Sequence, residues 1–88
     1  MPESYGGITM GIHVVVKNAT LGANIKMDLA PNEKVYDIIE SAAEFWKKDP
    51  KAYVLRRGKS LLRAADTVME ANILNDDVLE LLPDPEGG

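Results

Sequence analysis

The chain has 88 residues, 45% of them hydrophobic and 27% charged, with a formal net charge of −4; that is one small domain whose core has little slack. The absence of cysteine excludes a disulfide, a thiolate nucleophile and a Cys-based metal site. No apolar run approaches the roughly 18 residues of a membrane span, and MPESYGGITM lacks the basic and apolar regions of a secretory signal, so the expectation is a cytoplasmic protein with no membrane partner.

Residues 1–10 are polar and Gly-containing and read as a flexible N-terminal segment ahead of a domain at 11–83. Ile12, Val14 and Val16 alternate with His13, Val15 and Lys17, which predicts a strand over 11–17. NATLGA, 18–23, is a turn around Gly22. Its Asn-Ala-Thr triplet matches a glycosylation sequon by chance in a chain without a signal. Ile25, Met27 and Leu29 alternate with Lys26 and Asp28, which predicts a second strand over 24–30 and a hairpin.

Pro31-Asn32 then opens a helix expected at 33–48, with Asn32 as N-cap and Glu33 in the first turn, where the dipole favours an anion. Val35, Ile38, Ile39, Ala42, Phe45 and Trp46 form one wide apolar face. Lys47 and Lys48 suit the helix C-terminus, and Asp49-Pro50 stops it. Ala52–Arg56 reads as a third strand, 57–59 as a turn and 60–62 as a short fourth strand. Thr67 and Glu70 have capping-box spacing and begin a helical turn. Asn75-Asp76 marks another turn, and Val78–Leu82 is the last strand. That strand buries its apolar residues best in the middle of the sheet, parallel to the first. The fold class is α+β, a mixed sheet of four to five strands packed on one main helix.

The charge is unevenly placed. Lys47 to Arg63 holds seven bases and one acid, while Asp76 to Gly88 holds five acids and no base. Opposite-signed surfaces steer partners. The bases could track a nucleic acid with Tyr53 stacking on it, but the acidic net charge argues against a nucleic-acid partner. The single histidine, His13, makes neither a zinc site nor a catalytic pair. Phe45 and Trp46 read as core.

The strand–strand–helix–strand–strand–turn–strand order, together with particular residues, resembles the ubiquitin-like β-grasp family. LRRGKSLLRAADTVMEANILNDDVLEL, 55–81, is similar to the second half of ubiquitin in its Gly58-Lys59 turn, Leu61, Thr67-Val68 and Asn72-Ile73. IKMDLAPNEKVYDII resembles ubiquitin's second strand and helix start, including the Pro31 junction. From Ile73 to Gly88 the spacing fits without a gap, through to the diglycine. The resemblance spans residues 12–88, with one extra residue between Leu61 and Thr67. The tail LLPDPEGG departs from it. Ubiquitin's pre-glycine stretch is basic; here it is Pro83-Asp84-Pro85-Glu86, and a proline after the last strand is similar to sulfur carriers such as the small subunit of molybdopterin synthase.

The resemblance implies a chain that is not an enzyme and binds no cofactor. An activating enzyme uses ATP to adenylate the C-terminal glycine carboxylate, and a cysteine thiolate or a sulfur donor displaces AMP. The product is a thioester passed to a target lysine, or a thiocarboxylate. Gly88 carries the reacting carbonyl. Gly87 gives access, since a residue without Cβ lets the backbone enter a narrow channel, and the prolines of a flexible 84–88 tail trim the entropy of ordering it. The expectation is a monomeric modifier of prokaryotic type, with an activating enzyme, target proteins and a deconjugating metalloprotease as partners. A sulfur carrier for cofactor or tRNA thiolation and a non-covalent ubiquitin-like module are the alternatives.

A docking surface is expected on the sheet face away from the helix. Alternation turns Val15 outward in the first strand, Val78, Glu80 and Leu82 outward in the last, and is read in the third as Val54 inward and Leu55 outward. Val15, Leu55 and Leu82 would form an apolar patch, made acidic by Glu80 and rimmed by Arg56, Arg57 and Lys59. In ubiquitin the main recognition patch occupies the positions matching Leu55, Glu80 and Leu82.

Overall fold

The structure, a computed structural model, describes residues 11–84. The expectations for residues 1–10 and for 85–88, including Gly87 and Gly88, lie outside the described residues. Strand β1 (Ile12–Asn18) and strand β2 (Ala23–Leu29) form the predicted antiparallel hairpin, in unbroken register from Ile12↔Leu29 to Asn18↔Ala23. Gly22 has φ +70°, which a side chain would resist. The same turn is tied by Asn18, whose carbonyl accepts from Gly22 N–H at 2.8 Å and whose Oδ1 accepts from Leu21 N–H at 3.0 Å. Asn18 is buried, and its Nδ2 finds no acceptor among the described residues.

Helix α1 spans Val35–Phe45, shorter at both ends than the expected 33–48. Asn32 is not the N-cap. Glu33 closes a separate turn, accepting Ala30 N–H at 2.7 Å on Oε1, and this delays the helix to an N-cap at Lys34. Asp37 Oδ2 reaches back to Lys34 N–H at 3.0 Å. The amides of Val35 and Tyr36, which have no partner within the helix, donate to the carbonyls of Asp66 and Ala64. At the other end Lys47 turns to φ +58°. Lys48 N–H then donates to Ala43 O and Lys47 N–H to Glu44 O, the paired bonds of a Schellman stop. The stop precedes Asp49-Pro50, which instead starts a short 3₁₀ turn with Asp49 Oδ1 accepting from Lys51 N–H.

Consecutive helix residues differ by about 100° in direction, so Phe45 and Trp46 cannot both face the core. Trp46 packs on it, while Phe45, expected in the core, is 64% exposed and meets the Trp46 ring edge-on. Strands β3 (Tyr53–Arg57) and β4 (Ser60–Leu61) form a tight hairpin through Gly58, at φ +60°, and Lys59. Strand β5 (Val78–Pro83) lies in the middle of the sheet, parallel to β1 and antiparallel to β3, as the sequence predicts. The order of the five strands is β2-β1-β5-β3-β4. The core lies between sheet and helix, built on Val14, Val16, Leu29, Ile38, Leu55, Leu79 and Leu81.

The Thr67–Glu70 capping box forms. Thr67 N–H donates to Glu70 Oε1 at 2.9 Å and Glu70 N–H to Thr67 Oγ1 at 3.0 Å. The turn it caps is zipped to the approach to α1 through Val68 N–H to Glu33 O and Met69 N–H to Pro31 O, and it drives Val68 and Ile73 into the core.

Candidate functional site

The face of the sheet away from α1 is the candidate docking surface, and pairing decides what lies on it. Opposite residues on paired strands point to one side. Leu55 pairs with Leu81, which faces the core, so Leu55 does too, at 0% exposure. This overturns the expected parity of β3. Val54 points outward opposite Leu82, and Arg56 outward opposite Glu80. The run Val54-Leu55 is apolar at both positions, so alternation within β3 does not choose a face; the pairing with β5 does.

Three rows cross this face. Val15 and Val78 lie side by side on β1 and β5. Next come Lys17, Glu80 and Arg56, in register across β1, β5 and β3. Beyond them Leu82 faces Val54, close to where β5 ends. Leu61, 63% exposed, pairs with Arg56 from β4. The expected cluster of Val15, Leu55 and Leu82 is therefore not one patch. Val15 and Leu82 are on the outer face but on opposite sides of a charged row, and Leu55 is in the core. Val54 and Leu61 belong to the surface and were not expected there. The signal for both lies in the pairing of β3 with β5 and β4.

Glu80 does not make the face acidic. Arg56 donates to Glu80 Oε1 from Nε at 3.1 Å and Nη2 at 2.6 Å. Lys17 stands on the other flank of the pair. Arg57, expected at the rim, points the other way. Its Nη1 donates to Asn72 O at 2.5 Å and approaches Asp77 Oδ2 at 3.4 Å. Asp77 Oδ2 also accepts Leu74 N–H at 2.8 Å. Arg57 is thus a brace holding the 72–77 segment to β3.

His13 is exposed, as expected, and its Nδ1 pairs with Asp28 across β1 and β2. Both side chains are open to solvent, and among the described residues no group of three or more His, Cys, Asp or Glu side chains gathers as a metal ion requires. A shallow hollow of about 280 Å³ lies beside them, lined by Val15, Lys26 and Asp76 among others, toward the end of the sheet away from the tail. Asp84 N–H donates to Ala52 O at 2.8 Å, which carries the chain one residue past β5 while still attached to the domain. Pro85-Glu86-Gly87-Gly88 follow in sequence.

No family model matches the sequence, and a search among characterised proteins finds no match. Solved structures do match in fold. One titled as the ubiquitin of Caldiarchaeum subterraneum superposes with a TM-score of 0.77 at 19% identity, over 89% of this chain and 99% of that one. Another, titled as a de novo design by Hydra based on ubiquitin, gives a TM-score of 0.78 at 20% identity, over 86% of this chain and 92% of that one. The fold is the ubiquitin-like β-grasp fold.

Proposed function

We propose that this ubiquitin-like β-grasp chain is a protein modifier, joined to target proteins through the carboxylate of Gly88. The supporting observation is the placement of β5. The central strand of the sheet ends beside the outward Leu82–Val54 pair, and Asp84 makes the last described backbone bond, to Ala52. A partner docked on the outer face therefore sits next to the base of the segment that carries Gly87-Gly88. The apolar pair and the neighbouring Arg56 and Lys17 supply the binding surface that offsets the cost of ordering glycines in a channel.

The chemistry is supplied by partners. The Gly88 carboxylate attacks the α-phosphate of ATP on an activating enzyme and pyrophosphate leaves. A cysteine thiolate then attacks the acyl-adenylate and AMP leaves. A lysine amine of the target attacks the thioester, loses a proton and releases the thiol, leaving an isopeptide bond. This chain supplies the electrophile and the docking face, and no catalytic group. A metalloprotease that cuts after Gly88 would reverse the bond.

A sulfur-carrier role is the second reading, supported by Pro83 as the last residue of β5, where the fixed φ of proline suits the change from strand to tail. Mass spectrometry of the protein and its adducts from the native cells tests both. No Lys or Arg follows Arg63, so trypsin leaves residues 64–88 on a modified lysine. Cleavage after Glu86 leaves Gly-Gly instead. Gly-Gly on target lysines supports the modifier. A C-terminal oxygen-to-sulfur exchange supports the carrier. Neither, in cells that express the chain, leaves a non-covalent module.

A further inference from the structure

The two edges of the sheet are unequal. β4 contributes two residues, and Leu62 N–H then bonds back to Leu55 O. β2 is a seven-residue edge with no proline and no break in its register with β1. Such an edge carries a row of backbone donors and acceptors ready to pair with another strand. Its side chains fall in two sets. Ile25 and Met27 point to the helix side and pack against the core while only half buried. Lys26 and Asp28 point to the outer face and are exposed.

We infer that β2 is a self-association edge, on which two copies of this chain pair β2 to β2, antiparallel, about a two-fold axis at Met27. An isologous antiparallel pair must match residues whose numbers sum to an even value, because only then do both backbones turn their polar groups toward each other. Few registers remain, and charge ranks them; an axis at Ile25 sets Lys26 opposite the uncharged Asn24 and gains no ion pair. An axis at Lys26 sets Lys26 against its own copy, and an axis at Asp28 sets Asp28 against its own copy; like charges directly opposite are unfavourable. An axis at Met27 sets Lys26 opposite Asp28 of the second copy, twice. The same register puts Ile25 opposite Leu29 of the second copy and Met27 opposite Met27, which completes the burial of the half-covered apolar side. The five-stranded sheets become one continuous sheet, with both helices on one side and both outer faces on the other. Asp28 already meets His13 through Oδ1, and Oδ2 remains on the carboxylate for Lys26 of the second copy. The monomer expected from the sequence becomes the low-concentration form.

Sedimentation velocity of the full chain, from about 10 μM to about 1 mM, reads the association directly. A concentration-dependent dimer is expected. Lys26→Asp alone and Asp28→Lys alone each place two like-charge pairs in the interface and weaken it by about tenfold or more. Mixed in equal amounts, the two variants have opposite charges at every facing position and form a heterodimer, although neither forms a homodimer. Thermal melts establish that each variant is folded; if one is not, Lys26→Glu or Asp28→Arg replaces it. A wild-type chain that stays monomeric throughout the range overturns the inference. So do variants that dimerise as well as wild type, or a mixture that forms no heterodimer. Slow exchange at the β2 amides that point away from β1, in a monomer at every concentration, also overturns it, because another segment of the same chain then covers the edge.

Discussion

Leu55 stands opposite Leu81 across the β3–β5 pair, and both side chains are fully buried. Their neighbours Val54 and Leu82 form the matching pair on the outer face. Strand alternation makes these two pairs opposite in consequence. One belongs to the core and the other to the face proposed for docking.

Leu55→Ala is accordingly expected to cost about 2–5 kcal/mol, the range for removing a buried leucine side chain. Val54→Ala should stay under about 1 kcal/mol while weakening the binding of a partner to the outer face. Urea denaturation gives the first comparison, and a binding titration with the captured activating partner gives the second. Equal stability losses at the two positions would reverse the face assignment.

The two adjacent arginines should separate in the same way. Arg56 and Glu80 are 38% and 32% exposed, so a double-mutant cycle on this pair should return only about 0.2–1 kcal/mol of coupling. Arg57→Ala removes a brace from Asn72 and Asp77, and its expected cost is larger, about 1–2 kcal/mol. Hydrogen exchange at Leu74 and Asp77 should accelerate in Arg57→Ala and not in Arg56→Ala. Matching exchange in both variants would remove the bracing role.

Lys47 ends α1 at φ +58°, in the left-handed region that L side chains resist. Lys47→Gly should therefore stabilise the domain by about 0.5–1 kcal/mol, because glycine suits the position after a helix cap. The test is a denaturation midpoint at matched ionic strength, with Lys48→Gly as control. A loss of stability in Lys47→Gly would mean that the lysine side chain contributes more than its backbone costs.

Thr67→Ala should lose about 1 kcal/mol by removing one side of the capping box. The loss should be shared with the approach to α1, since Val68 and Met69 donate to Glu33 and Pro31. Faster exchange at the Val68 amide along with the Glu70 amide is the expected signature. A change confined to Glu70 would show that the two segments open independently.

Much of the architecture was legible. Alternation at Ile12–Lys17 and Ile25–Leu29 marked the hairpin, and Thr67 with Glu70 marked the capped turn. These signals work because they are local: side-chain direction has period two in a strand, and a cap lies three residues from its partner. The helix ends were less legible, because Glu33 folds back onto Ala30 and Lys47 adopts a positive φ. Neither choice is visible in residue type. The outer face of the sheet was half legible. Val15, Glu80 and Leu82 were placed on the correct face, whereas Leu55 was exchanged with Val54 and Arg57 with a structural role.

By itself the sequence determined the element order, most of the apolar core and the diglycine that follows the last strand, since each is set by local periodicity or by composition, and the need to bury β5's apolar residues pointed to its central position. Only the tertiary structure decided which side of β3 faces solvent, that Arg56 neutralises Glu80, and that among the described residues β2 is a long edge strand opposite a two-residue β4. The physical reason is common to all three. Each depends on which strands are neighbours and in what register, and a shift of one residue in a pairing exchanges the two faces of a strand without changing its sequence.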